Sequence, residues 1–327
     1  MELQKRKLNV ARLSVLSNTA LVVMKLAVGL MIGSVSIMSE AIHSGVDLLA
    51  SLIATFSVSK SGIPADRRHP FGHGKVENIS GVIEALLIFL AAVWIIYEAI
   101  KKLLHPEPIE YVSWGVGVML ISTVVNMIVS RMLFKVAKET DSVALKADAW
   151  HLRTDVYTSI GVMVSLALIL MGHQITPDPD IHWLDPVAAI GVALLILGAA
   201  YRLTLQSARD LMDVNLPAEE EAWIRNMIMM HQPVIHGFHQ LRTRKAGNFR
   251  FVDFHIKVDP YMSVEESHNI TDELSRSIEN HFPHTSVTVH TEPCDGNCVG
   301  NCLTGCLLTE KERKTVMQKR NSVTPYK

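Results

Sequence analysis

Charged residues are scarce in this chain. Only 19% of its 327 residues are Asp, Glu, Lys or Arg, 49% are hydrophobic, and the mean hydropathy is +0.24. This composition is too apolar for an ordinary soluble protein. The 31 basic and 32 acidic residues give a formal net charge of -1, so the chain lacks the basic surplus that attracts nucleic acid. We expect a protein that is surrounded by membrane lipid and has no nucleic-acid partner.

Cysteine is almost absent as well. All four cysteines lie between Cys294 and Cys306, so disulfides cannot hold the main body of the chain together. Histidine, in contrast, occurs 15 times. The histidines cluster at a few places, and several stand four residues from an aspartate. Because imidazole and carboxylate are common metal ligands, this clustering indicates metal chemistry.

Long apolar runs dominate the first two thirds of the chain. Six windows contain the roughly 20 mostly apolar residues that a membrane-spanning helix needs. They lie at about residues 12–33, 36–58, 81–101, 112–134, 150–172 and 184–206. They predict an all-α six-helix membrane bundle over residues 13–208, preceded by a cytoplasmic N-terminal segment of residues 1–12.

The connections between these windows differ in charge. The entry segment and the connections after the second and fourth windows carry clusters of Lys and Arg, and such loops lie on the cytoplasmic side. The first turn and the fifth connection have no Lys or Arg, and Lys101 and Lys102 are the one discordant pair. Both termini are therefore expected in the cytoplasm.

A soluble domain is predicted over residues 209–293, because the composition changes near Asp213. Two strands of alternating apolar residues meet at Ala246 and Gly247, and SVTVHTEP predicts a third strand. Helical patterns precede the first strand and separate the second from the third. The order αββαβ predicts a small α+β open-faced sandwich. The polar segment from Thr309 onward is expected to be disordered.

Two membrane windows contain the same His-x-x-x-Asp spacing. His43 and Asp47 stand in HSGVD, and His151 and Asp155 stand in HLRTD. This spacing places both side chains on one face of a helix. Two such helices would offer one ion four N and O ligands, a set that suits tetrahedral Zn²⁺. An aspartate at the centre of a membrane helix costs about 2.5 kcal/mol or more, so its repetition favours a function over a structural polar pair.

Longer stretches of the sequence resemble the cation diffusion facilitator family, and in particular its bacterial zinc and ferrous-iron efflux members. The resemblance extends from about Leu13 to Pro293. It rests on GSVSIMSEAIHSGVD, ADRRHPFGHGKVE, DLMDVNLP, HQLRTRKAG and VHTEP. It implies six membrane helices, a ferredoxin-like cytoplasmic domain, and a homodimer in the bacterial inner membrane. It also implies metal/proton antiport by alternating access, without enzymatic activity.

The resemblance assigns the transport site to the two His–Asp pairs. Some family members have aspartate at the first of the four positions, where this chain has His43. Two neutral imidazoles favour Zn²⁺ over the hard ions Mg²⁺ and Mn²⁺, so Zn²⁺ is the expected ion, with Co²⁺ left open. Because imidazole titrates near neutral pH, metal and protons compete for the site, which predicts antiport.

Further residues match other functional positions of the family. Asp66, His69 and His73 match a loop metal site, where Arg67 and Arg68 are expected to lower the affinity for cations. Lys75 and Asp213 match a charge interlock that holds the dimer together. The ligands of a binuclear site in the cytoplasmic domain, where structural or regulatory Zn²⁺ is expected, are matched by His239, His255, His268, His290 and Glu292. Glutamate replaces the usual aspartate there.

The tail at residues 294–327 departs from the family pattern. Its cysteines recur every four residues, at Cys294, Cys298, Cys302 and Cys306. This spacing lies within the range of thiolate metal sites, and a cytosolic location disfavours disulfides. We therefore expect a soft-metal site for Zn²⁺, Cu⁺ or an iron–sulfur cluster. The alternative is a redox-active or inert thiol tail.

Two other classes of function compete with transport. An intramembrane zinc metalloenzyme would need an open coordination position and a separate general base, whereas the two His–Asp pairs already complete a tetrahedron. A membrane-bound metal sensor would leave the intramembrane ligands unexplained. Divalent metal efflux is the interpretation that accounts for both the membrane windows and the cytoplasmic histidines.

Overall fold

The computed structural model describes residues 2–32, 35–104, 113–175, 184–296 and 301–322. The chain divides into two compact units, Met1–Leu211 and Met212–Lys327. The first unit is all helical. Its helices, over the described residues, are α1 (Glu2–Ile32), α2 (Val35–Ser61), α3 (Lys75–Leu104), α4 (Ser113–Thr140), α5 (Val143–Ile175) and α6 (Leu184–Leu211).

Each predicted apolar window falls on one of these six helices, so the predicted helical membrane bundle is confirmed. Within their described residues, α1, α3, α4 and α6 are long and apolar enough to cross a membrane. The two other helices, α2 and α5, carry the His–Asp pairs. Large apolar side chains such as Leu16, Phe56, Trp94 and Leu195 are exposed on the outside of the bundle, which is where lipid would cover them.

Helix α5 lies inside the bundle, because it packs against α2, α3, α4 and α6. Small side chains line its contacts: Ala144, Ala147 and Ala149 are fully buried. Small residues let membrane helices approach closely. The packing therefore places the polar face of α5 in the protein interior, away from lipid.

A buried ion pair ties one end of the bundle together. The Lys7 ammonium of α1 donates to Glu77 Oε1 of α3 at 2.7 Å, and both side chains are at most 2% exposed. The Ser61 hydroxyl of α2 also donates to Glu77 Oε1 at 2.7 Å, and Ser142, between α4 and α5, donates to Oε2 at 2.5 Å. One carboxylate thus joins the ends of five helices.

Removing one partner of this ion pair should destabilise the membrane unit strongly. We expect Lys7→Met or Glu77→Gln to lower the free energy of unfolding by about 3–5 kcal/mol, because the remaining group stays buried without its partner. Thermal unfolding in detergent measures this. Arg6→Gln is the control, since Arg6 pairs with Glu139 at a half-exposed surface, where such pairs contribute about 1 kcal/mol or less. An equal loss of stability in Lys7→Met and Arg6→Gln would contradict the prediction.

The second unit contains α7 (Ala218–Met229), β1 (Gly237–Ala246), β2 (Phe249–Val258), α8 (Val264–His281) and β3 (Thr285–Pro293). Strand order in the sheet is β1-β2-β3, with β1 antiparallel and β3 parallel to β2. Gly247, with φ of 62°, starts the two-residue turn between the first strands. The predicted αββαβ sandwich is confirmed.

The two faces of this sheet differ in polarity. Val252, Phe254 and Ile256 of β2 are buried against α7 and α8, together with Ile228 and Ile278. The alternate residues of β2 point to the opposite face because side chains alternate along a strand. A capping box between Ser263 and Glu266 begins α8. The helices therefore cover one face of the sheet and leave the other to polar side chains.

The expected disorder after Thr309 was wrong. Residues Glu310–Ser322 form helix α10, and Asn301–Thr304 form the short helix α9. One local and one long-range contact explain the order of α10. The Thr309 backbone N–H and hydroxyl both donate to the Glu312 carboxylate at 2.7 Å, and the Lys319 ammonium lies 3.0 Å from Asp259.

Candidate metal centres

The two His–Asp pairs meet between α2 and α5. The His151 Nε2 atom lies 3.0 Å from Asp47 Oδ1 and donates a hydrogen bond to it. The His43 Nε2 atom lies 3.8 Å from Asp155 Oδ1 and 4.0 Å from Asp47 Oδ1. Each histidine thus approaches the aspartate of the other helix. The four predicted residues form one cluster, with the ligand atoms of His43, Asp47 and Asp155 within 4.8 Å of one another.

Burial differs within this cluster. The side chains of Asp47 and His151 are 7% and 6% exposed, whereas His43 is 51% exposed. Asp155 Oδ2 and His151 Nδ1 have no hydrogen-bond partner among the described residues. Ligand atoms that are buried and unsatisfied fit a cation, and the donor set of two imidazoles and two carboxylates fits a borderline ion such as Zn²⁺.

Several polar residues near this cluster were missed by sequence reasoning. On α1, Asn18 donates to the Asp47 carbonyl at 3.3 Å, and the buried Lys25 ammonium donates to Ser44 at 2.8 Å. Asp148 lies on α5, three residues before His151, and is fully buried. Helical spacing from His151 was the available signal for Asp148, because residues three apart share a helix face.

The predicted loop site is also assembled. Asp66 Oδ1 accepts hydrogen bonds at 2.7 Å from the backbone N–H groups of His69 and Arg68. These bonds lower the pKa of Asp66, and the bond from His69 has the larger effect. Its carboxylate lies 3.4 Å from His69 Nδ1 and 3.5 Å from His73 Nε2. All three ligand atoms lie within 4.8 Å of one another, so the loop has the geometry for weak cation binding at an exposed surface.

The polar face of the sheet holds a third cluster. The histidines of three strands lie in register, with His239 opposite His255 and His255 opposite His290. The Glu292 Oε1 atom accepts a hydrogen bond from His255 Nδ1 at 2.8 Å and lies 3.5 Å from His239 Nε2. The donors of His239, His255 and Glu292 lie within 4.8 Å of one another and fit Zn²⁺ by type. His268, on α8, instead lies 3.7 Å from Asp272.

The remaining predicted residues take other contacts. The Lys75 ammonium donates to the Leu211 carbonyl at 3.5 Å, and Asp213 pairs with Arg244 at 3.5 Å. Cys294 is buried, Cys302 and Cys306 are half-buried, and all three are free thiols. Cys298 lies outside the described residues. No cysteine belongs to a metal-binding group of three or more ligands in the part of the chain that is described.

Comparison with known proteins agrees with this architecture. Residues 11–212 match the cation efflux transmembrane domain, and residues 216–294 match the cytoplasmic domain of cation efflux proteins. An uncharacterised transporter of Synechocystis sp. is 34% identical over 285 residues, which cover 87% of this chain and 90% of that protein. The cation-efflux pump FieF of Yersinia pestis is 32% identical over 262 residues, or 80% and 84% of the two chains.

Two similar solved structures each cover about a quarter of this chain. The zinc form of the transporter CzrB is 37% identical and covers 24% of this chain and 90% of its own, with a TM-score of 0.23. The metal-bound C-terminal domain of the CzcD transporter from Thermotoga maritima is 26% identical. The match covers 24% of this chain and 94% of that domain, with a TM-score of 0.22.

A helical membrane bundle with imidazoles and carboxylates clustered between two of its helices, followed by a small α+β domain, is the architecture of a membrane cation transporter. Together with the two matches that span residues 11–294, it shows that the chain belongs to the cation diffusion facilitator family. It is therefore a divalent metal efflux transporter and not an enzyme.

The charge of Glu292 should make the stability of the cytoplasmic domain depend on pH. The hydrogen bond from His255 lowers its pKa from 4.5 to about 2, and Lys257 adds to this against the effect of burial. The stabilisation is therefore present above about pH 4.5 and is lost as the pH falls toward 2. We expect Glu292→Gln to cost about 1 kcal/mol near neutral pH, since water screens the half-buried group.

Thermal unfolding in a chelator, followed from pH 7 to pH 3, checks this expectation. The difference between the wild type and Glu292→Gln should shrink below pH 4.5. Glu265→Gln, at an exposed position of α8, is the control. A difference that stayed constant over the whole range would contradict the role of the ionised carboxylate.

Proposed function

We propose that this protein is a Zn²⁺/H⁺ antiporter that works as a homodimer by alternating access. The observation that carries the proposal is the contact of each histidine with the aspartate of the opposite helix in the cluster of α2 and α5. One ion held there would bind both helices at once. A relative movement of α2 and α5 would then change both the geometry of the site and its access to solvent.

The proton coupling follows from the contact between His151 and Asp47. Without metal, the imidazole N–H is shared with the carboxylate at 3.0 Å. A metal ion needs the same nitrogen and oxygen as ligands, and it needs the nitrogen without its proton. Metal entry therefore expels a proton, and proton entry favours metal release, which is the exchange that antiport requires.

The preference for Zn²⁺ rests on the donor types. Imidazole nitrogen is a borderline-soft ligand that suits Zn²⁺ better than Mg²⁺ or Mn²⁺, which prefer oxygen. His43 is the residue on which selectivity depends, because an aspartate in its place would leave one nitrogen and three carboxylates. Co²⁺ shares the preference for nitrogen and remains a candidate substrate.

The remaining assignments complete the proposal. The domain at residues 209–293 would pair two copies and bind regulatory Zn²⁺ through its histidines and Glu292. Lys75 and Asp213 would form an interlock in the dimer, Asp66, His69 and His73 would collect ions, and the cysteine tail would hold a soft metal. Clusters of Lys and Arg at the entry and in two connections support cytoplasmic termini in a bacterial inner membrane.

Asp155 should be essential for transport but not for folding. We expect Asp155→Ala to reduce Zn²⁺ uptake into proteoliposomes with an acidic interior to the rate of protein-free vesicles, because the site would lose one of its four ligands. Glu98→Gln, which removes an exposed carboxylate of α3, should keep the wild-type rate. Size-exclusion chromatography checks that both variants remain folded. Retained transport by Asp155→Ala would refute the site.

Substitution at His43 should change which ion is transported. We expect His43→Asp to raise the ratio of Cd²⁺ to Zn²⁺ flux by about tenfold, because an oxygen-rich site no longer favours Zn²⁺ over the larger ion. His284→Asp, at an exposed position of the cytoplasmic domain outside the three clusters, is the matched control and should leave the ratio unchanged. The measurement is flux of each ion under one pH gradient. An unaltered ratio in His43→Asp would remove this residue from the selectivity determinants.

A further inference from the structure

A lysine stands inside the histidine cluster of the cytoplasmic domain. Next to the row of His239, His255 and His290, the sheet aligns a second row on the same face. Its members, from β1 to β3, are Gly237, Lys257 and Glu292. The middle position of this second row is therefore cationic, directly beside three imidazoles and one carboxylate.

The two oxygens of Glu292 face different partners. Its Oε1 atom faces the imidazoles, at 2.8 Å from His255 Nδ1 and 3.5 Å from His239 Nε2. Its Oε2 atom lies 3.2 Å from the Lys257 ammonium. A carboxylate bridges two metal ions by giving one oxygen to each, so the ammonium takes the oxygen that a second ion would need.

The ammonium is firmly held there. The side chain of Lys257 is 17% exposed. A lysine side chain is protonated near neutral pH, and the ion pair with Glu292 at 3.2 Å places its ammonium beside Oε2. A positive charge therefore stands next to this oxygen.

We propose that Lys257 acts as a built-in cation that restricts this cluster to one divalent ion per chain. The proposal rests on the proposed metal-binding function of the cluster and deepens it, because the family resemblance implies two ions. The single ion would bind His239, His255 and Glu292 Oε1. A second ion beside Oε2 would meet both an occupied ligand atom and a fixed positive charge.

Removal of the ammonium should open a second site. In Lys257→Gln, no ammonium stands at Glu292 Oε2, and His290, which is exposed and whose ring centroid is 4.7 Å from that of His255, offers a nitrogen nearby. Water completes the coordination of Zn²⁺ at such sites. Lys257→Arg keeps the charge and should keep the single ion.

The test counts ions in the full-length protein in detergent. Each variant is dialysed against rising concentrations of free Zn²⁺, and the metal per chain at saturation is measured by mass spectrometry. The same measurement on His255→Ala with Lys257 in place counts the zinc ions at all other sites, and this number is subtracted from that of each variant. Lys314→Gln removes an equal charge from an exposed position of α10 and is the matched control. His239→Ala replaces His255→Ala as the reference if circular dichroism shows a loss of fold.

The expected difference is one ion for the wild type, for Lys257→Arg and for Lys314→Gln, and two ions for Lys257→Gln. A difference of one in Lys257→Gln would overturn the role of Lys257 while leaving the metal site itself intact. A difference of two in the wild type or in Lys257→Arg would also overturn it. A difference of zero in the wild type would instead refute the metal site that the proposed function places here.

Discussion

Two aspartates inside a bundle of apolar helices require compensation, and much of the membrane unit depends on how it is provided. Helix α5 lies in the centre of the bundle, where its alanines allow close packing. The His–Asp pair of α5 there faces the His–Asp pair of α2. Asp47 then receives a hydrogen bond from His151, and His43 approaches Asp155. The same arrangement that lowers the cost of burying charge also brings together the ligands of the proposed transport site.

The placing of polar groups is also constrained at the end of the bundle and in the cytoplasmic domain. At the bundle end, the Glu77 carboxylate is buried but satisfied by Lys7 and two serines, so it serves packing and leaves no oxygen for a metal. In the cytoplasmic domain, two helices supply the core on one face of the sheet, which frees the other face for histidines. The Glu77 carboxylate is fully satisfied by protein groups, whereas the converging donors of the His–Asp cluster include unsatisfied buried atoms.

Much of the fold was predictable because the periodic signals were strong. The six apolar windows, the turn at Gly247 and the αββαβ order all correspond to described elements. Helix α10 was not predicted, because its order depends on a capping pair, Thr309 and Glu312, and on a contact of Lys319 with Asp259, 60 residues away in sequence. The polar composition of that segment led to the prediction of disorder, although Thr309 and Glu312 have the spacing of a helix cap.

The sequence by itself determined which residues are candidate metal ligands and on which helix faces and strand faces they lie, because spacing along a regular element decides the face. It also determined the membrane character of the first unit through composition. Only the tertiary structure decided which faces meet. The pairing of His151 with Asp47 and the place of Lys257 at Glu292 depend on helix packing and strand register. These are long-range contacts, and no local pattern specifies them.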